Sequence, residues 1–185
     1  LARAFSGHPR ARTLRLVEFV NEEPPHFQGP DMGSLVCARA CRARGDDIVA
    51  MLSLETLGYF DEHMGTQTYP FPLGLCYPSS GDFVAFAGDI GAGPLVRDTV
   101  GRFRRLARFP SAGAALPGFI PGVGWSDHWS FRQVGYPAVM VTDTAPFRNP
   151  HYHRSTDTAD HLDFARLARV VAGLERVVAE LLDAP

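Results

Sequence analysis

Short apolar runs alternate with longer amphipathic stretches along this chain. Four runs rich in β-branched and aromatic residues predict buried strands: 14–20 (LRLVEFV), 48–55 (IVAMLSLE), 83–88 (FVAFAG) and 135–143 (GYPAVMVTD). Three stretches with helical spacing lie between or after them: 32–44, which stops at Gly45, 94–108, which begins at Pro94, and the stretch after Asp163, which acts as its cap. The alternation predicts an α/β fold.

The first two predicted strands are separated by one predicted helix. A strand, a helix of this length and a second strand form a βαβ unit, so residues 14–20 and 48–55 are expected to be neighbouring parallel strands. Residues 59–82 are rich in Tyr, Pro, Gly and Ser, which predicts a loop over the rim of the sheet. We therefore expect one domain over residues 1–185 with a rim loop at 59–82.

Composition narrows the function classes. The 185 residues are 45% hydrophobic, with a formal net charge of −2 and three cysteines. No basic surplus indicates nucleic-acid binding, and no apolar run reaches the roughly 18 residues of a membrane span. Three cysteines, with Cys37 and Cys41 on a predicted helix, suit buried thiols better than disulfides and favour a reducing compartment such as the cytoplasm, while the location itself stays undetermined.

Carboxylates follow the first two predicted strands. Glu22 and Glu23 are adjacent and come directly after residues 14–20, and Glu55 ends the run 48–55. Adjacent anions repel unless a cation or a shared proton relieves them, and open α/β sheets bind ligands at the carboxyl ends of their strands. The pattern predicts a metal or acid–base site at this rim, whereas for Glu22 and Glu23 taken alone a solvated polar loop is the simpler interpretation.

Two later segments carry further candidate ligands. Ser-Asp-His occupies residues 126–128, and NPHYHRSTDT occupies residues 149–158. A hydrolase that activates water with zinc needs carboxylate and imidazole ligands together with a free carboxylate that accepts the proton. An adjacent acid pair can supply a ligand and a base together.

These motifs, in this order, resemble the co-catalytic zinc peptidases of the bacterial leucyl aminopeptidase and aminopeptidase Y type, metallopeptidase family twenty-eight. The resemblance rests on FVNEEPP with MGS, SLETLGY, SDHWSF and YHRSTDT, and it spans residues 14–182. It implies a three-layer α/β/α sandwich with a mixed, mainly parallel sheet. It further implies a peptide substrate and an exopeptidase, in the first instance an aminopeptidase.

The resemblance also assigns roles to individual residues. Glu22 becomes the general base, Glu23 and His153 become ligands of one zinc, and Glu55 becomes a ligand of a second zinc. Asp127 becomes a residue that contacts the metal ligands rather than the metal itself. His151 is the competing histidine in the HYH stretch, and the STDT sequence after His153 favours His153 by resemblance. The residues 126–128 also fit an ordinary turn before an aromatic helix.

The chain departs from the family pattern in what it lacks. The family has an upstream His-x-Asp segment and a Gly-Ala-Asp-Asp-Asn type segment that supply the remaining ligands, and neither is present, while Glu55 occupies a position that is more often Asp. Because the chain begins at Leu1 and LARAF resembles the end of a helix, we expect an N-terminally truncated catalytic domain. Such a chain is expected to hold no zinc or one weakly bound ion, to be inactive alone, and to self-associate through the surface left exposed.

Two alternatives stay open at this point. The first is a non-catalytic binding domain or inert fragment of the same fold, which would bind a ligand or partner and hydrolyse nothing. The second is aminoacyl cyclisation with a single zinc, as in glutaminyl cyclases, which share the scaffold. The sequence does not identify the natural substrate or decide between aminopeptidase and carboxypeptidase specificity.

Overall fold

The computed structural model describes residues 1–184 and contains one four-stranded sheet flanked by helices. The strands are β1 (Met51–Glu55), β2 (Asp61–Met64), β3 (Ser80–Gly81), β4 (Val84–Asp89), β5 (Ser111–Leu116) and β6 (Ala138–Thr142). The helices are α1 (Ala2–Phe5), α2 (Gly33–Arg44), α3 (Gly93–Ala107), α4 (His128–Gln133) and α5 (Phe164–Asp183).

The main sheet has the strand order β1-β6-β4-β5. The β1–β6 and β4–β5 pairs are parallel, and the central β4–β6 pair is antiparallel. The predicted α/β class with a mixed, mainly parallel sheet is therefore confirmed. The two parallel pairs run in opposite directions, so the carboxyl ends of β1 and β6 lie at one end of the sheet and those of β4 and β5 at the other.

Helices cover both faces of the sheet. On one face α3 and α5 bury Phe86, Val139 and Val141 against Phe103 and Leu174. On the other face α2 and α4 pack around a smaller cluster that contains Ala38, Cys41, Phe131, Tyr136 and Ala138. The result is the three-layer arrangement that the resemblance implied.

Helix ends follow the chemistry of the sequence. The Asp163 carboxylate accepts a hydrogen bond from the Arg166 backbone N–H at 2.8 Å and caps α5. Gly45 ends α2 in the left-handed region with φ of 74°, where a residue without Cβ is favoured. Both predicted helix boundaries are confirmed.

The predicted strand at 14–20 is wrong. The segment forms no strand, and β1 pairs in parallel with β6, from Met51 opposite Ala138 to Glu55 opposite Thr142. Phe19 instead packs on Phe131 of α4, with 6.0 Å between the ring centroids. An apolar run predicts burial but does not supply a neighbouring strand, and among residues 1–184 this segment has none to pair with.

The segment 59–82 contains the β2–β3 pair and a short 3-10 turn, Leu73–Leu75. The buried Arg148 side chain holds its two ends, because its guanidinium donates to the Tyr59 and Phe83 carbonyl oxygens at 3.3 and 3.0 Å. Across residues 1–184, no helix has both the length and the apolar character to span a bilayer.

Candidate active site

Glu55 is held at the carboxyl end of β1 by a chain of hydroxyl groups. The Ser126 Oγ donates to Glu55 Oε2 at 2.8 Å, and Ser53 Oγ lies 2.7 Å from Ser126 Oγ. Ser53 and Glu55 are two residues apart on one strand, so both side chains point to the same face of the sheet. The carboxylate is thereby fixed in one orientation beside the SDH segment.

The Glu22–Glu23 pair lies in a loop between Val20 and Gly33 whose two ends are in contact. The Gly33 N–H donates to the Val20 carbonyl oxygen at 2.9 Å, and a Cβ at Gly33 would lie only 2.6 Å from that oxygen. Glycine at this position therefore lets α2 begin directly against the end of segment 14–20. Asn21, with φ of 58°, turns the backbone immediately before the acids.

His153 meets the acid pair from the opposite side. Its Nε2 lies 3.6 Å from Glu23 Oε1, and both side chains are more than half exposed. Its ring stacks on Tyr152 at 4.0 Å between centroids. His151 is engaged elsewhere, with Nδ1 2.9 Å from Thr156 Oγ1 and its ring stacked on His161. Of the two candidate histidines, His153 is the one that lies beside Glu23.

The charges of the cluster are mutually coupled. Burial, and then the nearby carboxylates of Glu55, Asp127 and Glu23, raise the pKa of Glu22 to about 7. Burial also raises the pKa of Glu55, and its hydrogen bond from Ser126 opposes that shift. The acids from three separate segments therefore share one electrostatic environment.

Asp127 and His128 differ in their surroundings. Burial raises the pKa of Asp127, and its Oδ1 is buried without a hydrogen-bond partner. His128 points into the protein, where its Nε2 lies 2.7 Å from the Val123 carbonyl oxygen. Asp127 thus belongs to the acid cluster, whereas His128 is a structural residue of the loop before α4.

The donor set matches zinc in chemical type, since it offers carboxylates and an imidazole. The number of donors is smaller: within residues 1–184, no group of three or more His, Cys, Asp or Glu side chains is arranged to hold a metal ion. Within the acid cluster, Glu23 and His153 lie beside each other, with 3.6 Å between Oε1 and Nε2. The described residues therefore bring together carboxylate and imidazole groups of the kind that zinc binds, in a number too small for a complete site.

Sequence reasoning missed Tyr152 and Ser126 as members of the site. Burial, followed by the charges of Glu55, Glu23 and Glu22, raises the pKa of Tyr152 to about 12, which places its phenol among the acids. Tyr152 lies between His151 and His153, and Ser126 lies directly before Asp127. Both residues are therefore part of the motifs from which their neighbours were proposed as site residues. Their adjacency to those residues was the available signal.

An apolar cavity of about 100 Å³ adjoins the acid cluster, and Glu55 and Tyr152 line its near end. Segment 59–82 contributes Tyr69, Leu73 and Tyr77 to the lining. The acids and the apolar space together have the features of a site that binds a small organic group beside ionisable residues.

Comparison with known proteins finds a family match over part of the chain. The model of peptidase family M28 matches residues 96–178. The uncharacterized protein YfbL of Escherichia coli (strain K12) is 38% identical over 175 residues, which cover 94% of this chain and 53% of that protein. A probable leucine aminopeptidase of Arthroderma otae is 46% identical over 57 residues, 28% of this chain and 15% of that protein.

Solved structures share the fold. The LapA aminopeptidase of Legionella pneumophila superposes with a TM-score of 0.61 at 17% identity, covering 83% of this chain and 36% of that chain. An aminopeptidase from Aneurinibacillus sp. strain AM-1 gives a TM-score of 0.53 at 22% identity, covering 83% and 30%. The chain resembles the M28 peptidases over the matched segment and shares its fold with solved aminopeptidases. It spans about half the length of its E. coli relative.

Proposed function

We propose that this chain carries part of the active site of a zinc-dependent exopeptidase, an aminopeptidase in the first instance. The observation that carries the proposal is the convergence of side chains from four separate segments on one rim. Glu23 lies beside His153, and Glu22 is coupled electrostatically to Glu55 and Asp127. The M28 family match and the aminopeptidases among its structural neighbours support a peptidase.

Each residue then has a distinct task. Glu22 is the general base, since a carboxyl group with a pKa near 7 is suited to proton transfer at neutral pH. Glu23 and His153 are ligands of one zinc ion and Glu55 is a ligand of a second. Ser126 orients Glu55 by its hydrogen bond, and Asp127 contacts the metal ligands rather than the metal itself.

Zinc, when bound, polarises the scissile carbonyl group and lowers the pKa of a bound water molecule. Two ligands make a weak zinc site, because stable sites present three or four. We therefore propose that residues 1–184 alone hold at most one weakly bound ion and that hydrolysis requires ligands beyond those described here.

Two alternative functions would use the same scaffold. A non-catalytic binding domain would retain the fold and the cavity without turnover. A glutaminyl-cyclase-like enzyme would need one zinc and would release ammonia rather than an amino acid. The acid pair favours the peptidase, because a base beside a ligand is what water activation requires.

Replacement of Glu22 tests the proposed base. In the complete reading frame loaded with zinc, Glu22→Gln keeps the side-chain size and removes the base, so kcat for an aminoacyl amide substrate should fall by about 10² to 10⁴. Glu18→Gln is the matched control, because Glu18 is an exposed carboxylate of the same segment and should leave kcat unchanged. Near-normal turnover by Glu22→Gln, with zinc content equal to wild type, would remove Glu22 from the role of base.

Metal content tests the proposed ligands independently of turnover. After extensive dialysis, elemental analysis of the 185-residue chain should find no more than one equivalent of zinc, and addition of zinc should show one weak site. His153→Ala should abolish that site, and His151→Ala should retain it, since His151 is engaged with Thr156 and His161. Two tightly bound equivalents, or loss of binding in His151→Ala alone, would contradict the assignment.

A further inference from the structure

A second groove lies between helices α2 and α4. Its sides are two pairs of residues four positions apart, Leu35 and Arg39 on α2 and Trp129 and Gln133 on α4. Residues i and i+4 lie on the same face of a helix, so each helix presents one continuous face to this α2–α4 groove. Its volume is about 390 Å³, within the range of small-molecule sites, and among the described residues it shares no lining residue with the apolar cavity.

Contacts beneath the groove fix the two helices against each other. The Ser34 Oγ of α2 lies 2.8 Å from the Ser130 Oγ of α4, and both side chains are buried. Next to this pair, Ala38 and Phe131 belong to one buried apolar cluster. The groove is therefore a stable product of helix packing.

The loop that carries the acid pair closes one end of the groove. Pro30 and Gln28 line this end, and Gln28 Nε2 donates to the Gly124 carbonyl oxygen at 3.1 Å. A Cβ at Gly124 would lie 3.2 Å from Cδ1 of the Trp129 ring. Glycine therefore lets the indole lie close to the backbone on that side, so this end of the groove has a defined wall.

The polar groups of the groove are unpaired. Arg39 is exposed, and within residues 1–184 its guanidinium has no hydrogen-bond or ion-pair partner. The same holds, across that range, for the side-chain amide of Gln133, while Gln28 uses Nε2 and leaves Oε1 without a donor. The groove thus offers one free cation and two amide groups to a ligand.

The rest of the lining is apolar. Leu35 is buried, Trp129 is half-buried, and Val134 lies at the end of α4. Arg39 is the charged residue among those that line the groove. A ligand that matches this surface carries a negative charge at one end and an aliphatic or aromatic group beside it.

We infer that the α2–α4 groove binds an apolar amino acid that has a free carboxylate and a blocked amino group. The carboxylate lies on Arg39, and the apolar side chain packs between Leu35 and Trp129. N-acylated amino acids and the C-termini of peptides share this chemistry. The inference goes beyond the proposed function and does not depend on it.

The chemistry of the lining decides each part of this ligand. A guanidinium presents parallel N–H donors that match the two oxygens of a carboxylate. The amide of Gln133 can donate to the acyl carbonyl group, and Gln28 Oε1 can accept from the ligand N–H. Among the described residues no acidic side chain lines the groove, so a free ammonium group would find no ion-pair partner there.

Binding of three small probes tests the recognition of the carboxylate. N-acetylleucine and N-acetylleucinamide differ in the carboxylate alone, and N-acetylglycine lacks the apolar side chain. None of the three has an amino group for the acid cluster. The chain has two tryptophans, so Trp125→Phe leaves Trp129, in the wall of the groove, as the fluorescent reporter. Isothermal titration calorimetry of the unaltered chain gives a second measurement.

N-acetylleucine should have a Kd at least about tenfold lower than that of N-acetylleucinamide, because the amide loses the charge-assisted hydrogen bonds to Arg39. N-acetylglycine should bind at least about fivefold more weakly than N-acetylleucine, because it buries no side chain. Equal Kd values for the acid and the amide, or no saturable binding of the acid at millimolar concentrations, would overturn the inference in the unaltered chain.

Replacement of the arginine tests its assignment. Arg39→Gln should raise the Kd of N-acetylleucine about tenfold and leave that of the amide within about twofold. Arg42→Gln is the matched control, because it makes the same charge change on the same helix, while the Arg42 guanidinium lies over the Tyr136 ring at 5.1 Å and outside the groove. Circular dichroism verifies folding. An unchanged Kd of the acid in Arg39→Gln, or an equal loss in both variants, would remove Arg39 from the site.

A longer probe distinguishes the two sources of this chemistry. N-acetyl-Gly-Gly-Leu ends in the same residue as N-acetylleucine, so tighter binding of the peptide supports a peptide C-terminus as the ligand. Equal or weaker binding of the peptide supports a free N-acylated amino acid. Both results need the carboxylate to be recognised by Arg39, and neither involves hydrolysis at the acid cluster.

Discussion

A buried histidine beside the active site is kept neutral by its surroundings. His128 is 1% exposed, and its Nε2 lies 2.7 Å from the Val123 carbonyl oxygen, so the ring nitrogen that donates is Nε2. Its Nδ1 is buried without a partner. Protonation would place a charge in a buried position where Nδ1 has no hydrogen-bond partner, and burial outweighs the Val123 hydrogen bond and the Asp89 charge and lowers the pKa of His128 to about 4.

The sign of the pH dependence follows from this lowered pKa. Between about pH 6.5 and pH 4 the unfolded chain binds a proton at His128 that the folded chain rejects, so the stability that this residue contributes is present above pH 6.5 and declines as the pH falls. A shift of this size corresponds to up to about 3 kcal/mol. Asp143 acts in the opposite sense, because burial raises its pKa to about 6.

Comparison with His128→Gln isolates the histidine. The glutamine amide donates a hydrogen bond but does not titrate, and the contribution of Asp143 is common to both proteins and cancels. At pH 7 wild type should be more stable by about 1 to 2 kcal/mol, and this difference should narrow or reverse by pH 4.5. Urea unfolding at a series of pH values measures it. A difference that stays constant across the range would show that His128 is not held neutral.

The sequence predicted some residues of the site and not others. Glu22, Glu23, Glu55, Asp127 and His153 were proposed from motifs, and the structure brings them to one rim. Their roles stay predictions. Tyr152 and Ser126 could not be selected in this way, because a tyrosine or serine joins a site through burial and neighbours, which one sequence does not show.

At the scale of elements, one buried arginine fixes segment 59–82, which lines part of the apolar cavity. Arg148 is 7% exposed, and its Nε donates to Gln67 Oε1 at 2.8 Å in addition to its bonds at both ends of segment 59–82. Burial lowers its pKa to about 10, so the guanidinium stays charged at neutral pH. The hydrogen bonds of its Nε and Nη1 replace part of the hydration that the guanidinium loses on burial, whereas Nη2 is buried without a partner.

Arg148→Met should therefore loosen this segment. The variant leaves buried acceptors unpaired, and we expect a loss of about 3 to 5 kcal/mol in unfolding free energy with faster chymotrypsin cleavage within 59–82. Arg166→Met is the control, since Arg166 reaches the same segment through an ion pair with Glu62 at the surface, and it should cost at most about 1 kcal/mol. Similar losses in both variants would contradict the special role of the buried arginine.

Strands and helices were predictable from the sequence where nearby residues determine them, and not where a distant pairing partner does. Helix α5 and strand β6 follow from periodicity, capping and an apolar run, and the structure agrees. Strand β5, SAGAAL, was missed because alanine and glycine have low strand propensity. Segment 14–20 was overpredicted, because strand formation depends on a partner that sequence pattern alone does not reveal.

At the scale of the whole molecule, the sheet has an open edge beside exposed apolar surface. Strand β1 is a terminal strand of the main sheet, and Leu54 on it is 48% exposed. Leu16, Val17 and Val20 of the neighbouring segment are each more than half exposed. Unpaired backbone groups next to apolar side chains favour pairing with another chain.

We therefore predict that the 185-residue chain self-associates through this edge. Sedimentation velocity at increasing protein concentration should show dimers or larger species, and a lysine at the edge should shift the chain toward monomer, because its charge must be desolvated when the edge pairs. Leu54→Lys and Val17→Lys are the test variants. Ile90→Lys is the control, since Ile90 is 67% exposed but lies just after β4, away from this edge. A monomer at all concentrations would show that the chain does not self-associate. Equal effects of Ile90→Lys and Leu54→Lys would show that the added charge, and not a blocked β1 edge, shifts the chain toward monomer.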